Sequence, residues 1–214
     1  MTTPSDIAKK LEAPYLGDLT RDDDATLIAR SKQGDRDAFN QLVTRYSTQV
    51  YNFACRMTNN VEDANDIYQE AFIHAFRGIK SFRSDSAFST WLYRIVRNVF
   101  LDEQKRRRSR PYISLEESIE TDDGSIVRDV EDDAPLPEDV VQLNERRRAV
   151  QRAIGQLPVR QREILYLYDL QGHSYEEIAA ILSINVGTVK SRLNRARKSL
   201  RDRLVLSYKD LFDL

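Results

Sequence analysis

The chain has 214 residues, with 33 Lys and Arg against 34 Asp and Glu and 41% hydrophobic residues, which suits two small soluble cores rather than a disordered chain. Its longest charge-free run, Ile178 to Val189, is 12 residues, short of the roughly 18 that a membrane span needs, and the start MTTPSDIAKKLEAPY lacks the apolar stretch of a secretory signal. One cysteine, Cys55, excludes an internal disulfide framework and fits a reducing cytoplasm. With only His74 and His173 beside it, no Cys/His zinc site is expected, and seven glycines at least 15 positions apart exclude dinucleotide fingerprints, phosphate-cradling loops and nucleophile elbows. Neither a cofactor nor a metal nor catalysis is expected.

In chain order, residues 1–20 read as a loose tail. Asp23 or Asp24 can cap a short helix through Leu27 and Ile28 that ends near Gly34. A second helix, about 35–58, carries Phe39, Leu42, Val43, Tyr46, Val50, Phe53, Ala54 and Met57 at spacings of three and four, one buried stripe. A third, about 61–77, buries Ala64, Ile67, Ala71, Phe72 and Ala75. A fourth, about 87–108, buries Phe88, Trp91, Leu92, Ile95, Val96 and Val99. No alternating strand pattern competes with this reading.

Next comes a stretch of opposite character. Residues 111–140 hold 11 acids and one base, Arg128, together with Pro135-Leu136-Pro137. Acid runs self-repel and prolines block helix, so an extended tether is expected. The flanks are basic: 18 bases against 15 acids up to residue 110, and 14 against 8 from residue 141 onward.

Four more helices follow the tether. One spans about 138–155, and one starts at Pro158 and runs to Leu170 before Gly172. Ser174-Tyr175-Glu176-Glu177 is a capping box opening a short helix with Ile178, Ala179 and Leu182 inward. Ser183-Ile184-Asn185 breaks it before a long helix over about 186–205. The fold class is therefore all-α: two small helical domains joined by an acidic flexible linker, the C-terminal one a helix-turn-helix. The expected boundaries are a tail over 1–20, a first domain over 21–110, the linker over 111–138 and a second domain over 139–214.

Three surfaces stand out. On the last helix Val189, Leu193, Ala196 and Leu200 share one face, while Lys190, Ser191, Asn194, Arg197, Lys198 and Arg201 lie opposite. Donors and positive charge on an exposed helix suit a phosphate-lined major groove, with Lys190, Ser191 and Asn194 placed to meet base edges and Arg192, Arg195 and Lys198 to meet phosphates. On the fourth helix Thr90, Tyr93, Arg94 and Arg97 are expected to face outward, leading into Lys105-Arg106-Arg107-Arg108. An aromatic with arginines can hold a single strand and stack a base. Trp91, on the core stripe, is better read as packing. The third helix turns Glu62, Asp63, Asp66, Gln69, Glu70, Ile73 and Arg77 away from its core, a face wrong for DNA and suited to a protein partner bearing arginines.

These residues resemble those of the extracytoplasmic-function (ECF) group of bacterial RNA polymerase sigma factors. DANDIYQEAFIHAF (63–76) resembles the family's core-polymerase-binding helix. FRSDSAFSTWLYRIVRNVFLDEQKRRRSR (82–110) resembles its −10 loop and helix, and residues 157–204 resemble its −35-binding domain. The resemblance implies that Asp63, Asp66, Gln69 and Glu70, with Ile73 among them, engage the coiled coil of the largest polymerase subunit. It implies that Ser84, Asp85, Ser86 and Ala87, with Phe88, capture a base flipped from the −10 element. Tyr93, Arg94, Arg97 and Asn98 would hold the adjacent strand, and Thr188, Lys190, Ser191, Arg192, Asn194, Arg195 and Lys198 would meet the −35 element. The implied partners are core RNA polymerase, promoter DNA and an anti-sigma factor, in the cytoplasm and without a membrane span. Two other readings remain open from the residues: a stand-alone helix-turn-helix regulator, which leaves the first domain unexplained, and a Mg²⁺-dependent nucleic-acid hydrolase, whose acids would sit mostly in the linker.

Overall fold

The computed structural model describes residues 23–109 and 138–212, with the side chains of 23–109 and 145–207; the expected tail and nearly all of the acidic linker lie outside the described residues. Every regular element among them is helical.

The first group begins with α1 (Asp24–Lys32), capped by Asp23, whose carboxylate accepts from the Thr26 backbone N–H at 2.7 Å. Gly34 follows at φ +97°, a left-handed turn that glycine takes without strain. Asp35 caps α2 (Arg36–Thr58), and Asn59 closes it at φ 56°. Asn60 then caps α3 (Val61–Gly78), and a single 3₁₀ turn (Ile79–Ser81) precedes the loop into α4 (Phe88–Ser109). The stripes expected from spacing are the ones buried: Leu42, Phe53, Ala64, Ala71, Leu92 and Val96 all lie inside. The alanines of α3 let α2 and α4 pack closely on either side of it.

The second group comprises α5 (Glu138–Gly155), α6 (Val159–Leu165), α7 (Tyr175–Leu182) and α8 (Val186–Phe212). Two details differ from the sequence reading. The helix starting at Pro158 stays α-helical only to Leu165 and then widens into a π-helical segment, Tyr166–Leu170, closed by Gln171 N–H to Tyr166 C=O at 3.0 Å. Such a bulge accommodates an extra residue and re-aims the side chains beyond it. The last helix continues to Phe212, past the expected end at 205. The capping box is present: Glu177 N–H donates to Ser174 Oγ at 3.2 Å and Ser174 N–H to the Glu177 carboxylate at 2.8 Å.

The two groups pack on each other. α4 lies against α7, and α2 against α6, so the buried apolar residues of both form one continuous cluster.

Candidate nucleic-acid and polymerase interface

The helix-turn-helix is built from α7, the turn and the start of α8. Ser183 takes φ 50° to end α7, and Ile184 is half-buried against the core beneath the turn. Asn185 then accepts from the Thr188 N–H at 2.7 Å and from its hydroxyl at 2.8 Å, fixing the first turn of α8 and occupying the Thr188 hydroxyl. Val189, Leu193 and Ala196 are buried, while Lys190, Ser191, Asn194, Arg195 and Lys198 are exposed together on the other side and Arg192 is half-buried. The sequence reading had placed Arg197 on that open face. It is exposed, but Asp169 pairs with it and its guanidinium carbon lies 5.1 Å over the Tyr168 ring. Tyr168 stacks on Tyr175 at 5.1 Å and 12°, and Lys190 Nζ sits 5.6 Å over Tyr175. This cation–aromatic ladder braces the recognition helix against α7 and the π-helical segment.

The loop of the first group presents Arg83, Ser84, Asp85, Ser86 and Ala87 to solvent, with Ser84 at φ 60°. A non-glycine residue held in that region stores backbone strain, which concentrates at binding loops. Phe88 is buried below the loop, its ring 5.3 Å from Tyr46, 5.7 Å from Phe82 and 5.5 Å from Trp91. It therefore supports the loop from beneath. Trp91 is half-buried on Phe82 and Phe88, close to the packing role expected of it. Beside it, α3 and α4 enclose a cavity of about 260 Å³ lined in part by Glu70, His74, Asn98 and Arg106.

Along α4 the outward face is not the one expected. Arg94 and Asn98 are exposed, but Thr90 and Tyr93 are each only 2% exposed, and the Arg97 side chain is 16% exposed. For Tyr93 and Arg97 the reason is the second group. The Tyr93 ring meets Phe53, Tyr166 and His173 edge-on, and its hydroxyl donates to Gln171 Oε1 at 3.0 Å. Arg97 Nε lies 3.5 Å from Glu163 Oε2. Burial raises the Tyr93 and Tyr166 phenols well above their ordinary range. Burial also raises the Glu163 carboxyl, against the pull of Arg97, Arg192 and Arg160.

On α3, Asp66 and Gln69 are exposed, as is Ile73 at 49%, with Phe76 beside it at 44%. Asp63 is held by Arg107 of α4 in a forked pair, one arm at 3.0 Å, and Glu70 lies 3.7 Å from Arg106 and 3.4 Å from His74. Two of the acids expected to meet a partner are thus already in contact with the basic end of α4.

Sequence reasoning missed Arg162, Glu163, Tyr166 and His173. Arg162 donates to Met57 C=O at 3.0 Å and to Gly155 C=O at 2.7 Å, and Tyr166 OH donates to Gln49 C=O at 3.0 Å. A signal existed: Arg162 and Glu163 stand directly before the apolar run Ile164-Leu165-Tyr166-Leu167, where charge is unusual unless a partner awaits it.

A basic recognition helix on a helix-turn-helix, beside a second helical domain with a strained polar loop, defines a two-domain all-α protein of the DNA-binding class. The sigma-70 region 2 family model matches residues 42–110, and the sigma-70 region 4 model matches residues 147–200. The chain is 40% identical over 184 residues to the ECF RNA polymerase sigma-E factor of Haemophilus influenzae, covering 85% of this chain and 95% of that protein. It is 39% identical over 177 residues to the ECF RNA polymerase sigma factor SigW of Bacillus subtilis, covering 83% and 94%. Among solved structures it resembles CnrH in complex with the cytosolic domain of CnrY, at TM-score 0.60 and 27% identity over 87% of this chain and 99% of that one. It also resembles sigma factor RpoE of Bartonella quintana, solved with the anti-sigma factor NepR, at TM-score 0.59 and 25% identity over 79% and 98%. The chain belongs to the ECF family of RNA polymerase sigma factors.

Proposed function

We propose that this sigma factor works as a dissociable subunit without catalysis of its own, carrying core RNA polymerase to promoters in the cytoplasm. The division falls near 21–110 and 139–214, with 111–138 as the tether. In the first domain Asp66, Gln69 and Ile73 of α3 dock on the polymerase, with Asp63 and Glu70 joining as they exchange Arg107 and Arg106 for arginines of the partner. The loop of Ser84, Asp85, Ser86 and Ala87, propped by Phe88, captures a flipped base of the −10 element. Arg94 and Asn98 hold the adjacent strand, with Tyr93 and Arg97 joining once uncovered. Unstacking a base costs a few kcal/mol, which stacking and hydrogen bonds in the pocket must return.

In the second domain Lys190, Ser191 and Asn194 read the −35 element, while Arg192, Arg195 and Lys198 meet its phosphates and Thr188 holds the helix start. An anti-sigma factor is the proposed regulator, in keeping with the complex in which the Bartonella quintana relative was solved.

The observation that carries this reading is the coexistence, in one chain, of an acidic and apolar α3 face and two separate helices with exposed basic residues, Arg94 on α4 and Lys190, Arg195 and Lys198 on α8, each within a matched sigma-70 region. A stand-alone regulator would use α5–α8 and leave the α3 face idle. Gel filtration with core polymerase separates the two: a sigma factor co-elutes, and a chain that elutes alone contradicts the reading.

A further inference from the structure

α1 lies outside both matched sigma-70 regions, which begin at residues 42 and 147, yet it ends beside the loop Arg83–Ala87. Its place is fixed from several sides. The Asp24 carboxylate is held by the Arg45 guanidinium and the Tyr46 hydroxyl of α2, and Leu27, Ile28 and Ser31 are buried. α1 also packs on the 3₁₀ turn Ile79–Ser81. Lys32, the final residue of α1, is half-buried, and its Nζ lies 5.5 Å over the Phe82 ring.

Phe82 is where the loop begins. Its buried ring meets Phe88 at 5.7 Å and Trp91 at 5.1 Å, so three rings floor the exposed loop and an ammonium from another helix stands over one of them. The charge there is unbalanced. Arg30, in the same helical turn, pairs with Asp35 at 2.9 Å. Lys32 has no carboxylate partner among the described residues, and neither have the exposed Lys80 and Arg83 that flank Phe82 in sequence. Asp85, the acid of the loop, pairs with none of the three. A ring face holds an ammonium without neutralising it, so Lys32 can turn to an anion without leaving a buried acid behind.

A nucleotide turned about 180° out of a strand brings its two flanking phosphates to the rim of the pocket that receives it. Resting on the reading that this loop captures a flipped base, we propose that Lys32, with Lys80 and Arg83, forms a phosphate-holding rim beside the loop. α1 thereby contacts the single strand, although it lies outside the matched region. The loop reads the base, and the rim holds the backbone next to it, adding affinity without sequence preference.

The test uses the full chain joined with core polymerase, and a promoter fragment whose −10 element is single-stranded. Lys32→Met keeps an apolar stem over Phe82 and removes the charge. At low salt it should weaken binding about threefold to tenfold and lower the salt slope by about 0.7, the share of one single-strand phosphate. The preference among bases at the flipped position should stay the same, and Lys32→Arg should restore both affinity and slope. Replacing the strand's phosphates one at a time with uncharged methylphosphonate should cancel the Lys32→Met penalty at one position. Wild-type affinity and slope in Lys32→Met overturn the proposal. So does a penalty that survives on every methylphosphonate strand, which would leave Lys32 as a strut for Phe82 alone. A wild-type complex indifferent to every −10 base would refute the base-capture reading instead, while the salt slope of Lys32→Met would still decide whether α1 meets phosphate.

Discussion

The two helices proposed to meet DNA are presented in opposite ways. The N-terminal turns of α8 stand open, with Lys190, Ser191 and Asn194 exposed over a back of Val189 and Leu193. On α4, by contrast, Arg94 and Asn98 are open while Tyr93 and Arg97 are covered by α6, α7 and the π-helical segment between them. Under the proposed assignment, the −35 reader stands open while the −10 reader is half-covered by the other domain. A second asymmetry runs in parallel. The charged residues on the open face of α8, Lys190, Arg195 and Lys198, are all basic, whereas the first domain carries acids on α3 and arginines at the end of α4 that pair with each other, as Asp63 and Arg107 do. Under the proposed docking of α3, a protein partner exchanges those pairs and so changes the charge that the first domain presents.

Several substitutions break or sharpen this contrast. The largest effect is expected from Asp66→Arg, which reverses an exposed charge on the polymerase face without touching the core. Co-elution with core polymerase should be lost while circular dichroism stays helical, and unchanged co-elution would reduce the acidic face to a solvated surface. Next, Asn194→Ala should cost about 1–3 kcal/mol on promoters with one −35 sequence and little on others. Lys198→Ala should weaken all −35 sequences alike and lower the salt slope by about 0.9. Identical profiles for the two variants in a binding series over −35 sequences would erase the split between base and phosphate contacts. Ser174→Ala removes the capping box that starts α7 and should cost about 1 kcal/mol in thermal unfolding, an effect confined to the second domain.

The smallest effect concerns His173, which faces Tyr93 edge-on at 5.2 Å. Burial holds its imidazole below the ordinary 6.5, with Glu177 pulling the other way. The unfolded chain therefore takes up the proton first, so the stability tied to this group is present above pH 6.5 and is lost as pH falls through that value, until the folded form protonates too. A titration of the His173 ring resonance with a midpoint below 6.5 is expected, and a midpoint above it would place the ring in a solvated or acid-dominated setting.

How far the sequence reached follows from what periodicity can see. Spacings of three and four in α2, α3 and α4 mark the residues buried within their own domain, and polar residues next to those runs mark the caps at Asp23 and Ser174, so helices and stripes were legible. Tyr93 and Arg97 also share a helix face, but the second domain covers it, and no local pattern distinguishes an aromatic awaiting a base from one awaiting another helix. Phe88 was legible on both counts: it was expected on the buried stripe of α4 and beside the loop, and it is buried there against Phe82 and Tyr46. The widening at Tyr166–Leu170 left no mark because Pro158 and Gly172 bound a run that suits a plain helix equally well. The exposure of Lys190, Ser191, Asn194, Arg195 and Lys198 on α8 was legible from periodicity, whereas the pairing of Arg197 with Asp169 and Tyr168 was not, because those partners come from the π-helical segment.

The account rests on this chain serving as the specificity subunit of a polymerase. The most direct test is transcription in vitro with purified core enzyme over a library of randomised promoters, with and without the chain. RNA should start only in its presence, from templates sharing two sequence elements spaced to be met by two separated domains. No RNA above the core-only background, or starts with no shared elements, would contradict it.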